Sequence, residues 1–314
     1  MKKVVTIGGG TGQYTLLRGL KKYGVDLKAI VSVTDNGGSS GELRTEFGVL
    51  PPGDLRNCML ALADEVNLKD LVDLFDYRFP KSNNGKFSNH SLGNLIITAL
   101  HQKHKNMADA INVASKILNL SGEIIPVSVD ETNIYAKTEN GDFLNGEVEI
   151  NYSENAKNIK ELWLEPKAHL YKNAYSAIKE ADLIVICPGE LYGSILPNFL
   201  IKGFRDAIME SSAKIVYVCN LVTKQGTHGF KASNFLNIIE NYLGKKVNYI
   251  ICNTKKPTQK IVDKYKEEDS FFVEPDIEDE RAIKEDLLLE FEINSLFTAR
   301  HDSDKIAKLI MNLL

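Results

Sequence analysis

The chain has 314 residues, 43% hydrophobic and 25% charged, with 38 Lys plus Arg against 42 Asp plus Glu and a net charge of −4. These are ordinary globular averages, so disordered, collagen-like and coiled-coil organisations are excluded, and the balance offers no overall basic surface for nucleic acid. Acidity is concentrated in residues 267–292, where twelve acids face two bases in what reads as a solvated face, leaving the rest of the chain net positive.

In chain order, Met1-Lys2-Lys3 precedes a run of only four residues before Gly8. That is too short for a signal-peptide core, and no later run approaches the ~20 apolar residues of a membrane span, so a cytoplasmic protein is expected. Short apolar runs rich in Val and Ile recur at 4–7, 29–33, 183–187, 215–219 and 247–252, and helical periodicity falls between most of them, at 14–23, 200–209 and 235–243. Strands buried on both faces and alternating with helices predict a doubly wound, Rossmann-like parallel sheet in three α/β/α layers, a single α/β nucleotide-binding domain over 1–314. Two stretches interrupt it. Residues 54–120 read as a helical insertion with helices at 55–64, 68–75, 92–103 and 108–118. Residues 123–152 alternate around Glu139-Asn140-Gly141-Asp142 and predict a small antiparallel β appendage, with Val148 and Ile150 on its far strand. Asp302 or Ser303 caps a last helix. Cys58, Cys187, Cys219 and Cys252 form no CxxC pair and read as reduced core thiols, which argues against a structural metal.

Ligands of doubly wound sheets lie beyond the carboxyl ends of the strands. The first such loop is Gly8-Gly9-Gly10-Thr11-Gly12, either a phosphate cradle at a helix start or a tight βα turn; Gln13 stands where the dinucleotide fingerprint wants its last glycine, and no Walker lysine follows. The second, Thr34-Asp35-Asn36-Gly37-Gly38-Ser39-Ser40-Gly41, places Asp35 where it suits a sugar diol or Mg²⁺, or serves as a turn residue. Asp54 and Asn57 lie in Pro51-Pro52-Gly53-Asp54-Leu55-Arg56-Asn57, where Asp54 is also a candidate cap. The fourth segment, Ser88-Asn89-His90-Ser91-Leu92-Gly93-Asn94, opens a helix with free donors, and His90 is a candidate donor or general acid beside its plainer reading as an exposed polar residue. Pro188-Gly189-Glu190-Leu191-Tyr192-Gly193-Ser194 and Asn220-Leu221-Val222-Thr223-Lys224-Gln225-Gly226-Thr227 follow two later strands. Six polar, glycine-rich segments at strand ends or helix starts point to an extended ligand with phosphate and sugar parts.

In this order, the Gly8–Gly12 turn, the Ser32-to-Gly41 motif, Pro51-to-Asn57 and Ser91-Leu92-Gly93-Asn94-Leu95, with Arg300-His301-Asp302 late in the chain, resemble the gluconeogenesis factor family, related to the 2-phospho-L-lactate transferases. The resemblance covers essentially the whole chain. It implies a regulatory protein that binds UDP-sugars such as UDP-N-acetylglucosamine and is linked to cell shape and envelope synthesis during gluconeogenic growth. The transferase relatives move a phospholactyl group from a guanine dinucleotide onto a deazaflavin with Mg²⁺. Two departures stand out: Asp35-Asn36 replaces the family's usual pair of acids, and Lys224-Gln225 replaces a Pro-Gly step.

Ligand contacts are therefore expected from Gly9, Gly10, Thr11, Gly12, Asp35, Asn36, Gly38, Ser39, Asp54, Asn57, Asn89, His90, Ser91, Gly93, Asn94, Gly189, Ser194, Asn220 and Thr223. Tyr265 offers a ring for a uracil, or covers apolar surface; Arg300 offers a fork for a phosphate or base edge, or pairs with the acidic segment. The alternative is a transferase of a phosphoryl-linked group in which Asp35 and Asp54 hold Mg²⁺, the one candidate metal, and one of them acts as base. An NAD(P) oxidoreductase is disfavoured by the missing fingerprint. Partners beyond the small molecule are a homodimer by default and regulatory proteins.

Overall fold

The computed structural model describes residues 1–82, 85–293 and 296–314. Strand β1 (Lys3–Gly8) enters α1 (Gly10–Leu20), and β2 (Asp26–Val31) is followed by a helical layer of α2 (Gly38–Phe47), α3 (Pro52–Leu62), α4 (Lys69–Asp76), α5 (Leu92–His104) and α6 (Met107–Ile117). Then come β3 (Glu123–Pro126), the hairpin β4 (Asn133–Thr138) and β5 (Phe143–Asn145), α7 (Gly146–Tyr152) and β6 (Ile159–Glu165). Helix α8 (Lys172–Glu180) leads to β7 (Leu183–Ile186), a π-type turn at Leu191–Ile195, α9 (Leu196–Leu200), α10 (Phe204–Glu210) and β8 (Lys214–Val218). The remainder is α11 (Ala232–Leu243), β9 (Tyr249–Asn253), α12 (Gln259–Glu267), β10 (Ala282–Glu285), the hairpin β11 (Leu288–Ile293) and β12 (Leu296–His301), and α13 (Ser303–Asn312).

The central sheet has seven strands in the order β10-β9-β8-β7-β1-β2-β3, and each neighbouring pair runs parallel. Its strands are apolar on both faces because helices cover both; all four residues of β7 are buried. Strand order reverses between β1 and β7, which opens the crevice where such folds hold ligands. The missing third glycine of the fingerprint has a structural counterpart: fully buried Gln13 donates from Nε2 to Thr6 Oγ1 (3.1 Å) and to the Ile30 carbonyl (3.0 Å), tying α1 to the first two strands.

The helices expected at 55–118 are α3 to α6. Helix α2 was not expected, since only Leu43 gives it a strongly apolar buried contact; it starts on glycine and serine and ends at Gly48, whose φ of 60° lets the chain leave in the left-handed conformation. The stretch 123–152 differs from the expected antiparallel unit. Strand β3 joins the central sheet beside β2, β4 and β5 form the hairpin around Asn140-Gly141, and the third strand of that small sheet is β6. Val148 and Ile150 lie on α7 instead, because Gly146 at φ 85° turns the chain and Asn36 Oδ1 accepts the Val148 N–H (3.0 Å), a distant cap that local alternation does not reveal. The last helix is capped by Asp302, whose carboxylate accepts the N–H groups of Asp304 and Lys305. All four cysteines are free and buried. No described helix is long and apolar enough to cross a membrane.

Candidate functional site

A cleft of about 550 Å³ lies over the carboxyl ends of β1, β2, β7 and β8, closed on its far side by α12 and β12. Its floor is the Gly9-to-Gly12 turn. Gly10 takes φ 62° to begin α1, a Cβ on Gly9 would run into the Asp54 carboxylate, and one on Gly12 would overlap the Pro188 carbonyl. The turn is thus both a tight βα connection and a surface on which backbone amides at a helix start stay open to an anion.

Three carboxylates meet above this floor. Asp54 does not cap its helix; its side chain reaches across to the Gly9-Gly10 turn, and burial, reinforced by the charge of Asp35, pushes its pKa up to about 7. Asp35 accepts the Gly37 N–H at 2.8 Å, so it performs the turn role while also lining the cleft. Glu147, from α7, is held by the Ser194 hydroxyl at 2.9 Å, and its pKa is raised well above the ordinary range by burial and by the charges of Asp35 and Asp54. Further along, burial raises Glu190 to about 7 against the opposing charge of Lys224. Among the described residues no group of three or more acids, histidines or cysteines, these three included, is arranged to hold a metal ion by itself. Mg²⁺ needs only one or two carboxylates beside waters and substrate phosphates, and carboxylates beside a glycine turn have the donor chemistry for it.

The opposite wall carries basic side chains together with Glu268, which pairs with Lys264 at 3.8 Å. Lys224, Lys264 and Arg300 line it, and Arg300 is exposed and forms no ion pair among the described residues, so the acidic segment does not engage it. Tyr265 reaches the cleft but is only 9% exposed; its hydroxyl is bonded to the Ala299 backbone and its ring packs edge-on against Phe272 at 5.6 Å. Asn220 fixes the Gly189 carbonyl through Nδ2 at 2.5 Å, which joins the loops after β7 and β8.

Of the residues singled out from sequence, Gly9, Gly10, Thr11, Gly12, Asp35, Asp54, Gly189, Ser194, Asn220, Tyr265 and Arg300 come together in this cleft. The others stand outside its lining. Asn36 caps α7, and Thr223 is buried, bonded to the backbone of Phe271. Asn57 faces a neighbouring hollow of about 460 Å³ with Thr11, Tyr14 and Arg18. Gly38 and His90 border an open groove. His90 is buried rather than exposed, between Ser39 Oγ (3.0 Å) and Glu42 Oε2 (3.1 Å), and Asn94 donates to Ser39 (3.1 Å). Asn89 gives its carbonyl to Arg78, Ser91 accepts from Arg56 at 2.8 Å, and Gly93 lets α5 pass close to Phe75. Sequence reasoning missed Glu147, Lys264 and His301. Glu147 was hidden by the strand-like alternation around it, whereas His301 was quoted in the late Arg-His-Asp motif without a role.

A βα glycine turn, a switch-point crevice and a polar cleft lined by both carboxylates and basic side chains define a Rossmann-like α/β protein. Residues 4–289 match the 2-phospho-L-lactate transferase CofD family. The chain is 40% identical to the gluconeogenesis factor of Listeria innocua, covering 99% of this chain and 95% of that one, and 37% identical to that of Bacillus subtilis, covering 99% and 98%. A relative in Thermotoga maritima is 41% identical over 98% of each chain. The crystal structure of a Bacillus halodurans protein superposes with a TM-score of 0.89 at 37% identity over 99% of both chains. The chain belongs to the gluconeogenesis factor family, within the wider 2-phospho-L-lactate transferase family.

Proposed function

We propose that the cleft binds a UDP-sugar resembling UDP-N-acetylglucosamine, and that the protein is a cytoplasmic regulator linking gluconeogenic growth to cell shape and envelope synthesis through protein partners. The observation that carries this reading is the single continuous cleft running from the glycine turn to Arg300. Phosphates would lie on the amides of Gly10 to Gly12, sugar hydroxyls on Asp35 and Asp54, and the base toward Tyr265 and Arg300. The 89–94 segment, bonded to Ser39 and Arg56, would then support the second loop rather than hold phosphate itself. Calorimetry on protein stripped of carried-over ligand tests the proposal: heat and a thermal shift with UDP-N-acetylglucosamine are expected, and silence at millimolar concentration overturns it.

The second reading is a transferase of a phosphoryl-linked group, favoured by the facing carboxylates of Asp35, Asp54 and Glu147. Asp35 and Asp54 would hold Mg²⁺, which when bound neutralises phosphate charge. One of these two carboxylates would accept a proton from an acceptor hydroxyl. Mass spectrometry of GDP- and UDP-activated donors with Mg²⁺ decides it. Conversion by the wild type, lost in an Asp54→Asn variant that still binds, supports this reading, whereas unchanged donor masses across the series remove it.

A further inference from the structure

His301, the last residue of β12, lines the far end of the cleft although it is only 7% exposed. Among the described residues its Nε2 has no hydrogen-bond partner. A buried polar atom left unpaired loses its hydration without compensation, so one that borders a ligand cleft marks a position where the ligand completes the bond. The ring lies beside the Cys219 backbone, and burial pushes the imidazole pKa down to about 4 and keeps the ring uncharged at neutral pH. A neutral imidazole has one N–H and one lone pair. In the tautomer that carries its N–H on Nδ1, Nε2 can only accept. Such an atom repels a phosphate or carbonyl oxygen and takes an N–H or O–H donor.

His301 sits with Arg300 and Ala299 on β12, across the cleft from the glycine turn, which is where the nucleobase lies in the reading above, and the inference rests on that reading. We propose that His301 is a specificity residue that accepts the imino N–H of the bound base, so that the cleft takes a uracil edge and rejects a cytosine edge, whose corresponding ring nitrogen is itself an acceptor. Two acceptors facing each other are worse than a missing bond, because both stay desolvated and unpaired. The neighbouring Arg300 guanidinium supplies donors only and suits the carbonyl oxygens that flank an imino group.

The test is calorimetry of the full chain with UDP, CDP and 3-methyluridine diphosphate. Wild type is expected to bind UDP at least tenfold more tightly than either analogue. His301→Phe, which keeps a buried ring but has no acceptor, should bring UDP and CDP to within about threefold of each other. His301→Gln, whose amide can present either a carbonyl or an NH₂, should bind both. Equal binding of UDP, CDP and the methylated analogue by wild type overturns the role of His301 while leaving nucleotide binding intact, as does an unchanged UDP-to-CDP ratio in folded His301→Phe. Absence of binding by all three diphosphates and by UDP-N-acetylglucosamine overturns the underlying nucleotide reading and this inference with it. The 3-methyl comparison in wild type decides the matter even where a variant does not fold.

Discussion

Replacing Asp54 by asparagine tests whether the cleft stores electrostatic strain. The carboxyl is 9% exposed, and burial together with the charge of Asp35 raises its pKa from 3.8 to about 7. A carboxyl whose pKa is higher in the folded than in the unfolded chain favours folding while protonated, and that advantage is lost as pH rises from the unfolded value toward the folded one. At about 1.36 kcal/mol per pKa unit, the ionised unfolded state gains about 4 kcal/mol on the native state by pH 7, falling to about 1 kcal/mol at pH 4.5. The amide introduced by Asp54→Asn would carry no charge, and it would also relieve Glu147. The variant should therefore be more stable than wild type by up to about 4 kcal/mol at pH 7.5, roughly 6 °C in Tm for a chain of this length, with a much smaller margin at pH 4.5. Urea titrations of both proteins across that range measure it. A variant no more stable than wild type at pH 7.5, or a margin that does not shrink on acidification, would refute the reasoning.

Arg300→Ala removes an exposed side chain without an ion pair among the described residues, so its unfolding midpoint should stay within about 0.5 kcal/mol of wild type while UDP-sugar affinity falls about tenfold or more; unchanged affinity removes Arg300 from the site. Gln13→Leu leaves the Ile30 carbonyl and Thr6 without their buried donor and should destabilise by about 1–3 kcal/mol in urea, a loss that ligand binding at saturation does not abolish. Gly12→Ala drives a Cβ into the Pro188 carbonyl and should cost about 2–4 kcal/mol, read by thermal unfolding, together with a loss of ligand-induced stabilisation.

What the sequence made legible follows the range of the interactions involved. Buried strands such as 183–187 and the helices at 55–118 announce themselves by local apolar periodicity, and the glycine turn, Asp35 and Asp54 follow from where strands end in a doubly wound fold. The illegible parts depend on contacts between distant segments. His90 at a helix start looked like a donor or an exposed polar residue until Ser39 and Glu42 were placed on either side of it. Glu147 was unreadable because α7 is specified by Gly146 and by a cap from Asn36, more than a hundred residues upstream.

That same cap gives physical sense to the departure at position 36. An acid there would accept the Val148 N–H equally well, but it would add a further negative charge beside Asp35 and Glu147, where burial and like charge already raise Asp54 and Glu147 above their ordinary pKa values. A neutral amide supplies the hydrogen bond without the repulsion. With Asn36 neutral, α7 can bring Glu147 to the cleft beside Asp35 and Asp54.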